Sequence, residues 1–114
     1  MNKLTGSQIT ARLLRAGISP KYRAFAYLVY LILEFEPMEV IEMTNKELVD
    51  KVTARFNVSN KSANSNFRSL MDACAYNNGK KSEIFMLMAG LERGELPTVK
   101  EFLTAVECII FEAV

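Results

Sequence analysis

Histidine is absent from these 114 residues. Its absence removes the usual general base, the commonest metal ligand and every Ser-His or Cys-His nucleophile pair. The two cysteines, Cys74 and Cys108, are too few for a zinc cluster and lack CxxC spacing. Each is expected to be a small buried hydrophobe. The longest uncharged apolar run, Ala24 to Leu33, has ten residues, about half of what a membrane helix needs. The opening stretch, MNKLTGSQITARLL, has no apolar signal-peptide core and no cleavage-site pattern. No repeat or low-complexity segment is visible. These absences predict no catalytic centre, no cofactor, no metal site and no enzyme, since no two groups can be named as acid and base. They also predict a cytoplasmic protein that engages neither a membrane nor a small-molecule substrate.

What is present is a globular composition, 50% apolar and 24% charged, of a length suited to one domain spanning residues 1–114. The net charge of +1 hides a segregation. Residues 1–30 carry Lys3, Arg12, Arg15, Lys21 and Arg23 with no acid, whereas residues 31–42 carry Glu34, Glu36, Glu39 and Glu42 with no base. Residues 43–81 hold seven bases and three acids, and residues 82–114 two bases and six acids. Two basic segments in an otherwise acidic chain suit one face for a polyanion, although solvated helices also vary in charge.

Glycine and proline, five and three in number, fall where helices should start and stop. A first helix is expected from Gly6 to Ala16, with Gly17 as its stop. Ser19-Pro20 offers an N-cap and a proline in the first turn of a second helix, which should break before Pro37. Its middle, Phe25 to Leu33, is apolar on every side and should be the buried centre, with a dimer interface as the alternative for part of it. The carboxylates Glu34, Glu36, Glu39 and Glu42 read as a solvated segment around Pro37. Thr44-Asn-Lys-Glu47 is a capping box that opens a third helix over residues 45–56, with Leu48, Val49, Val52 and Phe56 along one side. Asn57-Val58-Ser59 makes a three-residue turn in which asparagine tolerates the left-handed conformation and Ser59 caps the next helix.

The fourth helix, Asn60 to Tyr76, carries one apolar stripe of Ala63, Phe67, Leu70, Met71 and Cys74. Lys61, Ser65, Arg68 and Asp72 lie opposite, flanked by Ser62, Asn64 and Ser69. Serine and asparagine are poor helix formers, so something other than helix stability selects this face. A short helix over residues 82–89, with Met86 and Met88 as core filler, and a loop over 90–97 complete the middle of the chain. Thr98-Val-Lys-Glu101 is a second capping box, opening a last helix with Phe102, Val106, Ile109 and Ile110 inward. The expectation is an all-α domain of six helices.

A capped helix, a three-residue turn and a second amphipathic helix with a polar outer face make a helix-turn-helix candidate over residues 45–76. Periodicity alone does not separate it from any other antiparallel helix pair with a short loop. Three further stretches add a resemblance. Leu14-Arg-Ala-Gly17-Ile18-Ser-Pro20, followed by Phe25-Ala-Tyr27-Leu28, resembles the opening of the C-terminal effector domain of the sporulation initiation response regulators of endospore-forming bacteria. Arg55-Phe56-Asn57 is similar to the family's ending of the helix before its recognition helix. Pro97-Thr98-Val-Lys-Glu101-Phe102 is similar to the start of the family's last helix. The likeness spans residues 9–111.

The resemblance implies a transcription regulator that binds double-stranded DNA through the helix-turn-helix, as a homodimer or paired with a related regulator. It places base-facing positions at Lys61, Ser62, Asn64, Ser65, Arg68 and Ser69. Lys51 and Arg55 on the bracing helix suit the phosphate backbone. The family's recognition helix carries three arginines, and only the last has a counterpart here, Arg68; Ser62 and Ser65 stand in place of the others. Arginine is the usual bidentate reader of guanine, so an altered DNA specificity is expected. The family's receiver domain has no counterpart in these residues. That leaves a free-standing regulator, an antagonist pairing with a full-length relative, or part of a longer protein. The alternative from a different class is a protein-interaction module that keeps the fold and has lost specific DNA binding.

Overall fold

Short-range side-chain and glycine signals set most of the helix ends in this chain. The computed structural model describes residues 4–76 and 96–112, and among these are six helices and no strand. They are α1 (Gly6–Arg15), α2 (Arg23–Glu34), α3 (Pro37–Glu42), α4 (Asn45–Phe56), α5 (Asn60–Tyr76) and α6 (Val99–Glu112). The all-α expectation holds, but the set of helices differs from the expected one. α3 was not anticipated, and the expected helix over 82–89, with Met86 and Met88, lies outside the described residues.

Thr5 caps α1 in a capping box with Gln8, each side chain accepting from the other's backbone N–H at 3.2 and 2.8 Å. Gly17 ends the helix in the left-handed region at φ 90°, and Ile18 N–H closes back on the Leu13 carbonyl at 3.0 Å. The expected cap at Ser19 is corrected. Ser19 Oγ accepts from Lys21 N–H in a tight local turn, and α2 begins only at Arg23 behind an uncapped, extended Tyr22. A capping side chain reaches only the N–H groups two or three residues on, and α2 starts beyond that reach of Ser19.

α2 breaks before Pro37 as expected, with Phe35 and Glu36 extended. Beyond it the acidic segment forms α3, where Pro37 occupies the first turn, Glu36 N–H donates to Glu39 Oε1 at 2.9 Å, and Val40 is buried. The Thr44–Glu47 and Thr98–Glu101 boxes are both formed. Asn57 is left-handed at φ 55°, and Ser59 Oγ accepts from Ser62 N–H at 3.1 Å to start α5.

α2 packs against α1, α4 and α5; α4 packs against α5; and α6 packs against α1, α3 and α4. Tyr27 and Leu31 on α2 are buried, as are the inward residues named for α4, α5 and α6, except that Phe56 is half-buried. α2 is not enclosed on every side: Ala26 and Leu33 are exposed, because its far flank has no helix over it among the described residues. Cys74 is buried, and burial pushes its thiol up to about 11. Cys108 is exposed, which corrects the expectation for that residue. At 100° per residue it points away from the Phe102, Val106 and Ile109 stripe of α6.

Candidate nucleic-acid interface

The pose of α5 is set by aromatic packing and two inter-helix hydrogen bonds. Tyr27 of α2 packs against Phe56 of α4 and Phe67 of α5, with ring centroids 4.8 and 5.5 Å apart. Its hydroxyl accepts from the Asn66 side-chain amide of α5 at 2.8 Å. At the start of α5, Asn60 Nδ2 donates to Asp50 Oδ1 of α4 at 3.3 Å. Asp50 also pairs with Lys46 at 3.2 Å, the one ion pair among the described residues. Asn66, Asn60 and Asp50 were not singled out in the sequence. Their partners lie on other helices or ten positions away, so only a polar residue beside an apolar stripe hinted at them.

With α5 held this way, Lys61, Ser62, Asn64, Ser65, Arg68 and Ser69 are all exposed on it. Two are used locally: Ser62 Oγ accepts from Ser59 Oγ, and Asn64 Nδ2 donates to the Asn60 carbonyl at 2.9 Å. Lys61, Ser65, Arg68 and Ser69 have no side-chain hydrogen bond or ion pair among the described residues. No acid lies in the first turn of α5, and Asp72 is its first carboxylate. The positive end of the helix dipole therefore adds to Lys61 without an opposing charge on the helix.

Asn64 and Arg68 also line a groove of about 330 Å³, floored by Phe67 and Met71, between α5 and the chain entering α6. Asn45 at the start of α4 and Pro97 form its far wall. Asn45 Oδ1 accepts from Lys100 N–H at 2.7 Å, and Lys100 Nζ donates to the Ile41 carbonyl, so the first turn of α6 is tied to the α3–α4 junction.

Lys51 and Arg55 are exposed on α4 but belong to a separate strip backed by aromatic rings. Lys51 Nζ lies 5.8 Å from the Phe35 ring centroid, and the Arg55 guanidinium 5.9 and 5.4 Å from those of Tyr30 and Phe56. These contacts hold the cations along the flank of α4 that meets α2. Lys46 and Asp50 occupy the flank nearer the first residue of α5. Lys51, Arg55, Lys61 and Arg68 form no ion pair among the described residues.

Among the described residues no cluster of His, Cys, Asp or Glu is placed to hold a metal ion, and no helix is long and apolar enough to cross a membrane. Comparisons of the chain with family models, curated proteins and solved structures return no significant match.

Proposed function

We propose that this protein is a DNA-binding transcription regulator whose α4–turn–α5 unit acts as a helix-turn-helix, related to the sporulation initiation regulators but with its own site preference. The observation that carries this reading is the outer face of α5. It has short hydrogen-bonding side chains and two cations that form no ion pair among the described residues, with no carboxylate before Asp72. Serine, asparagine, lysine and arginine are side chains that find donors and acceptors on base edges in the major groove. In this reading Arg68 reads a base, Lys61 meets a base or a phosphate, and Lys51 and Arg55 grip the backbone from α4. Double-stranded DNA is the partner, bound by a homodimer or beside a related regulator in the cytoplasm, with no catalytic role.

A second reading, a protein-interaction module without specific DNA binding, draws on the local hydrogen bonds that occupy Ser62 and Asn64 at the start of α5 and on the net charge of only +1. One experiment separates the two: selection of bound duplexes from a random library at two salt concentrations, followed by titration of variants on a selected and a scrambled duplex. Arg68→Ala is expected to lose roughly 1–3 kcal/mol on the selected duplex and to relax preference at one base position. Lys51→Ala is expected to weaken all duplexes alike and reduce the salt slope by about one. Equal losses on both duplexes for Arg68→Ala, or no enriched sequence, would favour the interaction module.

A further inference from the structure

A second groove, of about 240 Å³, is built where α2 gives way to α3 and has the opposite electrostatic character. Its apolar lining includes Ile9, Ile32, Leu33, Phe35 and Phe111. Leu33 is 43% exposed, and Phe35 and Phe111 are half-buried. Three carboxylates, Glu34, Glu36 and Glu39, line the same groove, and none forms an ion pair among the described residues. Lys51 lies over the Phe35 ring and Arg12 reaches the Ile110 carbonyl beside Phe111, and neither forms an ion pair among the described residues. Among the described residues, folding thus leaves an apolar slot edged by three carboxylates that hold no cation in an ion pair. Apolar surface of this kind gains by being covered, and the acids select what can cover it. A nucleic acid is repelled. An acidic or neutral segment gains nothing from the edge.

We propose that this groove docks a basic amphipathic segment of another protein: an apolar side chain seated against Leu33, Phe35 and Phe111, flanked by lysines or arginines that meet Glu34, Glu36 and Glu39. The complementarity follows from the layout of the chain, which gathers four acids and no base into residues 31–42. It also leaves three of those acids around one apolar opening. The groove shares no lining residue with the outer face of α5, and Lys51, over Phe35, stands at its border with the strip of cations on α4.

The test is selection of a displayed random peptide library against the immobilised full chain, then titration of the synthetic consensus peptide. Enriched peptides are expected to carry Leu, Met or Phe with Lys or Arg three or four positions away on one helical face. The double variant Glu34→Gln/Glu36→Gln is expected to weaken the consensus peptide roughly three- to tenfold, with the loss shrinking as salt is raised. Leu33→Asp, at an exposed position, is expected to abolish binding. Unchanged thermal melts show that each variant is folded. Three outcomes overturn the proposal. One is a consensus without positive charge, and another is affinity indifferent to both variants. The third is self-association of the unmodified chain in sedimentation equilibrium that the double variant abolishes, which assigns the groove to a second copy.

Discussion

Glu107 gives the sharpest energetic prediction. It lies on α6 with 5% of its surface exposed, and its Oε2 is buried without a hydrogen-bond partner among the described residues. Arg12, on the adjoining α1, gives Nη1 to the Ile110 carbonyl and forms no ion pair among the described residues. Burial therefore acts unopposed and pushes the Glu107 carboxyl from 4.5 up to about 7. Below pH 4.5 the group is protonated whether the chain is folded or not, and it imposes no charge penalty. Between pH 4.5 and about 7 the folded state keeps a proton that the unfolded state has released, so stability falls as pH rises. Above about 7 the whole penalty is present, on the order of 3 kcal/mol for that gap. Glu107→Leu removes both the charge and the unpaired oxygen. It should flatten stability across this window and exceed the parent protein above it by about 2–3 kcal/mol. Glu107→Gln should be equally flat but less stable than the leucine variant, because its buried amide lacks partners at a cost of about 1–3 kcal/mol. Urea denaturation followed by far-UV circular dichroism, repeated across the window, measures all three. A parent protein with flat stability over the window, or the same slope in both variants, would refute the reasoning. Glu47 does not confuse the result. Hydrogen bonds from the backbone and side chain of Thr44 hold its carboxyl below 4.5, so its contribution is lost only as pH falls beneath the window.

Tyr27→Phe removes the acceptor for Asn66 and should lower unfolding free energy by about 1 kcal/mol in the same assay; unchanged stability would mean that α5 is not held by this bond. Gly17→Ala places a β-carbon at φ 90° and should lower stability by about 1–2 kcal/mol, with Gly17→Asn costing less, as read from melting temperatures. In the proposed reading, Ser62 and Ser65 stand where the sporulation regulators carry recognition arginines, each such contact being worth about 1–3 kcal/mol, so in competition binding the protein should show no preference for duplex DNA carrying that family's recognition box; selective tight binding to the box would contradict the proposed specificity.

Local chemistry was legible in the sequence wherever both partners lie within one turn of backbone. The Thr44–Glu47 and Thr98–Glu101 boxes, the left-handed Asn57, the stop at Gly17 and the Ser59 cap all act over three to five positions, and those distances are fixed by helix geometry. The exposed face of α5 was legible for the same reason, since a 3.6-residue period assigns sides to a helix once one stripe is apolar. At Ser19 the same local chemistry admitted two outcomes, and the hydroxyl closed its own turn instead of capping α2. α3 escaped notice because six residues are too few to show a period.

Tertiary structure alone decided the rest, because it depends on which helices meet. α6 contacts α1, α3 and α4, so its buried arc is wider than the stripe read from sequence and draws in Glu107 while leaving Cys108 outside. The Asn66–Tyr27 bond spans 39 positions and Arg12 to Ile110 spans 98, separations over which no periodicity carries information. The acidic edge of residues 31–42 was plain in the sequence. That Leu33, Phe35 and Phe111 open an apolar groove beside it followed only when the last helix packed back against the first.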